Sequence, residues 1–195
     1  MLGLVTAVMA PVAAEASLIL NLYESAGNTV LSYSGQINTT GLVQLGTIPT
    51  TASIQPSSGL IQNISSAQLY FINSGSGSQP FGAGGSATAT ASSGSPIYTN
   101  FGGPSVLGLP VGYASGSAIT GSMTFAGNFA ALGITDNMTY TFSWGAGGAG
   151  NSVTLNVKAV GIPEPATMGV LAIGSVVSGF AYRRRAKMAK LQASV

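Results

Sequence analysis

The sequence predicts a mainly β ectodomain, an antiparallel β-sandwich of jelly-roll-like form, followed by one C-terminal transmembrane helix. Three observations carry this expectation. Short segments between residues 17 and 160 alternate apolar and polar side chains with a period of two. Turns rich in Gly, Ser and Asn separate them. One uncharged stretch, residues 166–182, lies near the C-terminus and stops at three arginines.

The chain begins "MLGLVTAVMAPVAAEA". Residues 2–10 form an apolar run of the length of a signal-peptide h-region, and Ala14 and Ala16 flank Glu15 in the small-x-small pattern that signal peptidase pockets admit. Residues 1–16 are therefore expected to be a signal peptide cut before Ser17, with a buried first strand or helix as the alternative reading.

Residues 17–161 form the expected Gly/Ser/Thr-rich ectodomain. "SLILNLYE" sets Leu18, Leu20 and Leu22 against Ile19, Asn21 and Tyr23, and the next segment places Thr29, Leu31 and Tyr33 on one side. The intervening "SAGN" reads as a hairpin turn, because Gly and Asn tolerate positive φ. "AQLYFI" at 67–72 and "GSMTFAG" at 121–127 are further strands, and "NFAALGI" has room for one or two helical turns. "MTYTFSW" and "SVTLNVKAV" flank "GAGGAGN" and are expected to pair. Such alternation buries one face of an antiparallel sheet and leaves Thr, Ser and Asn wet.

Residues 73–118 are poor in large side chains. They read as a long loop or as weak edge strands such as "SATATAS", and as the least ordered part of the ectodomain, since so little apolar area offsets the entropy of ordering.

Composition excludes several functions. The 195 residues carry six Lys or Arg, four Asp or Glu, no His and no Cys. Disulfide scaffolds and thiolate metal sites are ruled out. Residues 183–195 hold a net +5 while residues 17–165 hold a net −2, so the pI near 9.0 belongs to the tail. General acid–base catalysis would have to rest on Glu24, Asp136 and Lys158, which read as surface charges, with no His to activate a Ser nucleophile. No enzyme activity, cofactor or metal is expected. "GAGGAG" at 145–150 matches G-x-G-x-x-G but lies between two strands, where a dinucleotide fingerprint would open a helix. It reads as a hairpin turn. Asn38, Asn63 and Asn137 begin N-x-[ST] triplets of the kind that a chain so rich in Ser and Thr produces by chance.

Residues 166–182 would span about 26 Å as a helix, at the short end for a bilayer of about 30 Å. Arg183, Arg184 and Arg185 then set the topology by staying cytoplasmic. The basic tail lacks the interleaved aromatics of a nucleic-acid arm, so no nucleic acid is expected as a partner.

Pro163, Glu164, Pro165, Ala166 and Thr167, a Gly-rich span and an Arg cluster occur in that order over residues 162–185. This arrangement resembles the PEP-CTERM protein-sorting signal of Gram-negative bacteria. The resemblance implies an exosortase-type processing enzyme as partner, with Pro163, Glu164 and Pro165 as the residues it recognises and 186–195 as a cytoplasmic tail. It also implies an inner-membrane precursor with a periplasmic domain, and a surface-located or secreted mature protein. The run "ALGITDNMTYTFSWGAGGAGNSVTLNV" is similar to the recurrent ending of such ectodomains, although Asn151 stands where that type often has Asp. The expected role is a non-enzymatic surface or extracellular-matrix protein. The alternative is a membrane-tethered module binding extracellular polysaccharide through exposed Tyr or Trp144. A hydrolase is the third reading.

Overall fold

A strand that alternates Leu with polar residues buries one face, and that rule builds the first sheet. In a computed structural model, described over residues 16–63, 65–72, 79–102, 106–144 and 151–160, the chain forms thirteen strands, one short α-helix and a 3-10 turn at Pro56–Ser58 among those residues. In chain order the strands are β1 (Ala16–Ser25), β2 (Asn28–Gln36), β3 (Val43–Thr50), β4 (Ser53–Gln55), β5 (Leu60–Gln62) and β6 (Ser65–Phe71). They continue as β7 (Ala87–Thr88), β8 (Ala91–Gly94), β9 (Tyr98–Asn100), β10 (Val106–Pro110), β11 (Ala118–Phe125), β12 (Met138–Trp144) and β13 (Asn151–Val160). Helix α1 (Phe129–Leu132) precedes β12, capped by the Asn128 side chain at its start and by left-handed Gly133 at its end. The expected C-terminal helix lies outside the described residues, and among those described no helix is long and apolar enough to cross a membrane.

Two sheets result, with strand orders β12-β13-β1-β2-β11-β8 and β3-β6-β10-β9-β5-β4-β7. Leu18, Leu20, Leu22, Leu31 and Tyr33 of the first sheet and Ile54, Ile61, Leu107 and Leu109 of the second belong to one buried cluster. Phe101, just after β9, stacks on Phe142 of β12 at 4.6 Å and 18°, joining the two layers. The expected faces of β1 and β2 are borne out: Leu18, Leu20, Leu22, Thr29, Leu31 and Tyr33 are buried, and Ile19 is 41% exposed. β12 and β13 pair antiparallel, as expected.

Four points differ from the expectations or add to them. The pairing is not wholly antiparallel. β1 lies parallel to β13, from Ala16 opposite Asn151 to Tyr23 opposite Lys158. No tight turn joins these two strands, so the chain is free to return in either direction after passing through the second sheet. Second, the expected β1–β2 hairpin forms, but its turn puts positive φ on Ala26 (50°) and Gly27 (78°), while Asn28 already belongs to β2. Both central residues are left-handed, the mirror-image turn that matches strand twist.

Third, the described part of residues 73–118 is built into the core. It contributes β7 to β10, and Phe81, Ile97, Phe101, Leu107 and Leu109 are fully buried. Backbone-to-backbone packing makes up for the missing side chains. A Cβ on Gly84 would collide with the Leu132 carbonyl and one on Gly102 with that of Ser58, and Ala83 and Gly84 both donate to the Gly133 carbonyl. The edge-strand reading holds, since β7 and β8 end the two sheets. Fourth, a strand forms where none was expected, because β3 lacks a period-two signal. It is an edge strand with Val43 60% and Leu45 54% exposed, so no buried face organises its sequence.

The turn and the packing of β2 on β1 give a paired prediction. Replacing left-handed Ala26 with Asn should raise stability by about 1 kcal/mol, or about 3 °C in Tm for a domain of this size. Gly35→Ala should cost at least about 2 kcal/mol, because Gly35 has φ of 147° and its Cβ would lie against the Ser17 carbonyl. Thermal unfolding followed by circular dichroism checks both.

Candidate functional site

The residues expected to carry sorting, Pro163, Glu164, Pro165, Arg183, Arg184 and Arg185, lie outside the described residues, as do Ala14 and the 145–150 turn. Ala16 is the first residue of β1 and is buried. What the structure does describe is the end of the domain from which the chain runs into the sorting segment.

Glu24, Asp136 and Lys158, far apart in sequence, are the only charged residues among those described, and all three stand at one end of the first sheet. Glu24 pairs with Val160, and Lys158 with Tyr23. The register slips there, leaving Ala159 as the extra residue of a β-bulge. A bulge leaves a backbone N–H without its ladder partner. The Asp136 carboxylate takes it up: Ala159 N–H donates to Oδ1 at 2.6 Å, and Asn137 N–H donates to the same oxygen at 2.6 Å. On the other flank of β13, Glu24 Oε1 accepts the N–H of Phe129 at the first turn of α1, at 2.6 Å. Each carboxylate thus serves as a backbone acceptor. Sequence reasoning read these acids as scattered surface charges. No spacing signal could have gathered them, because only the β12-β13-β1 order brings them together.

A buried polar network ties the sheets. Asn63, 1% exposed, donates to the Tyr33 hydroxyl and to the Ser93 carbonyl at 3.0 Å. Tyr33 in turn donates to the Ser95 carbonyl at 2.6 Å. Gly121 has no side chain where the Tyr33 ring needs the space. Burial takes Asn63 out of consideration as a glycan acceptor. It also overturns the expected exposed Trp platform, since Trp144 is 5% exposed and belongs to the core.

On the outer face of the first sheet the registers align Thr139, Asn156, Asn21, Ser32, Ser122 and Ser93 in one row across all six strands. Thr139 donates to Asn156 at 3.3 Å, Asn156 to Asn21 at 3.0 Å, and Ser93 and Ser122 share a hydrogen bond of 3.1 Å. This row is a neutral strip of alternating donors and acceptors. The outer face of the second sheet differs: Val43, Phe71 and Val106 oppose one another across β3, β6 and β10, with Phe71 39% exposed. Among the described residues no group of His, Cys, Asp and Glu stands ready to hold a metal. The hollow between residues 83–87 and α1 is lined by Gly, Ala, Ser and Leu.

Residues 161–185 match the family model of the PEP-CTERM protein-sorting motif. No curated protein and no solved structure is significantly similar to the chain.

Two expected outcomes follow from this geometry. Asp136→Ala should speed hydrogen exchange at the Ala159 amide, while Asp136→Asn, which keeps an acceptor oxygen, should change it much less. Burial raises the phenol pKa values of Tyr33, Tyr113 and Tyr140 above the usual 10.0, against the opposing hydrogen bonds of Asn63 on Tyr33 and of Ile37 on Tyr113. The folded state then keeps protons that the unfolded state releases. This contribution is complete below about pH 10 and is lost as pH rises through the folded-state values. Urea midpoints should fall in that alkaline range, and Tyr33→Phe should make the fall shallower while costing about 1–3 kcal/mol at neutral pH.

Proposed function

We propose that this chain is a non-enzymatic surface or extracellular-matrix protein, exported as a membrane-held precursor and processed through its C-terminal motif by an exosortase-type enzyme. The observation that carries the reading is the PEP-CTERM motif at residues 161–185, beginning directly after β13. Only Gly161 and Ile162 separate the last strand residue from Pro163. In this reading the domain lies on the periplasmic side, residues 166–182 cross the membrane, and Arg183, Arg184 and Arg185 hold the tail in the cytoplasm. Pro163 and Pro165 favour an extended backbone that cannot join a ladder. Glu164 stays hydrated, because moving an ionised carboxylate into lipid is costly, and so marks where the span begins.

The row of hydroxyls and amides across the first sheet favours a second reading, a tethered module for neutral polysaccharide. It would bind through Asn21, Asn156 and their Ser and Thr neighbours, since Trp144 is buried.

Glu164→Gln keeps the shape of the triplet and removes its charge. The expected result is an unchanged melting temperature of the domain together with accumulation of the unprocessed, membrane-bound form, read from the intact mass of membrane and surface fractions. Normal processing of Glu164→Gln would remove the charge from the signal. Normal processing with both Pro163 and Pro165 replaced by Ala would leave a plain membrane anchor in place of a sorting signal.

A further inference from the structure

The two sheets end in four edge strands, and three of these are blunted. β7 is two residues long and β8 is four. β3 carries a register break around Leu45 and a proline, Pro49, near its end. Such devices keep unpaired backbone groups from recruiting another strand. β12 has none of them. Its seven residues run in unbroken register against β13, and "MTYTFSW" contains no Pro, no Gly and no charge. Among the described residues its other side pairs with no strand.

The same strand is symmetric in chemistry about its centre. Thr141 is flanked by Tyr140 and Phe142, then by Thr139 and Ser143, then by Met138 and Trp144. We propose that β12 is the pairing edge for a second copy of this chain, the two strands running antiparallel about a two-fold axis at Thr141 and joining both first sheets into one. In that register Thr141 faces its own image, Tyr140 faces Phe142, Thr139 faces Ser143 and Met138 faces Trp144. Hydroxyls meet hydroxyls on the outer face and aromatics meet aromatics on the core side, which are favourable cross-strand pairs. A two-fold pairing brings each position against its mirror position, so a charge at the centre would meet its own kind. β12 carries none. Met138, 40% exposed in the single chain, gains an apolar neighbour.

The absence of cysteine from the chain makes the test direct. Single variants Thr141→Cys, Thr139→Cys and Ser93→Cys are made in the full-length protein in detergent and treated with oxidant or a short thiol cross-linker. Ser93 lies on the opposite edge of the same sheet and reports contacts made by any other route. The expected result is a covalent product of twice the 19.3 kDa chain mass for Thr141→Cys, little for Thr139→Cys alone, and background for Ser93→Cys. The double variant Thr139→Cys, Ser143→Cys should link as Thr141→Cys does. Thr141→Lys should shift the sedimenting species from dimer to monomer while its thermal unfolding stays that of a folded domain, since Thr141 is exposed. A wild-type protein that sediments as a monomer and does not cross-link at Thr141 overturns the proposal. So does equal linking at Ser93. Stronger linking by Thr139→Cys alone overturns the register, and a product of another mass overturns the second copy as occupant.

Discussion

The parallel pairing of β1 with β13 is the contact on which the rest of the domain depends. It joins the first and last strands of the described domain at the middle of one sheet, over a register running from Ala16 opposite Asn151 to Glu24 opposite Val160. Everything between, including the whole second sheet, is a loop closed by this ladder. The pairing also aligns Leu18 with Val153, Leu20 with Leu155 and Leu22 with Val157, so that three consecutive apolar pairs face the same core. A slip of one residue would turn that set toward water. Where the ladder ends, the bulge at Ala159 and its Asp136 acceptor lie beside Val160, the last described residue.

A chain with so few charges must satisfy its polar groups by other means. Here hydroxyls, amides and backbone do so. Asn63 and Tyr33 form the polar link across the core, and Thr29 donates to the Gly127 carbonyl at 2.9 Å. Glycine has a second task besides turning. At Gly35, Gly84, Gly102 and Gly121 it leaves room for a neighbouring backbone or ring. Close approach of main chains lets a segment with few large side chains pack at the density of a protein interior.

This construction suits a protein displayed outside the cell through a terminal signal. The acids of the domain hold backbone at the end from which the chain leaves, and the motif begins directly after the last strand residue. The last described strand thus stops at Val160, with Gly161 and Ile162 between it and Pro163. The domain's two outer faces differ, one a lattice of hydroxyls and amides and the other bearing Val43, Phe71 and Val106. These faces, together with the unblunted edge at β12, are where the domain can meet other molecules.

Sequence alone determined whatever depends on neighbours along the chain. Period-two alternation located β1, β2, β11, β12 and β13 and the inner faces of β1 and β2, because burial on one side of a strand leaves a local imprint. The run "NFAALGI" offered room for the helical turn found there, and the ordered triplet, span and arginines at 162–185 were legible without a structure. Tertiary structure alone decided whatever depends on residues distant in sequence. Trp144 is not among these: in β12 it shares the alternate apolar positions of Tyr140 and Phe142, opposite Thr139, Thr141 and Ser143, so its burial follows a local pattern that the exposed-platform reading set aside. Phe81 and Phe101 stand in glycine-rich surroundings where hydropathy is low, yet both are fully buried, Phe101 with its ring against Tyr140 and Phe142 of the other sheet, and no periodic trace marks them. Glu24, Asp136 and Lys158 stand at one end of the sheet because β13 inserts between β12 and β1. Strand order is a choice among pairings of similar local energy, and only packing across the whole core selects one.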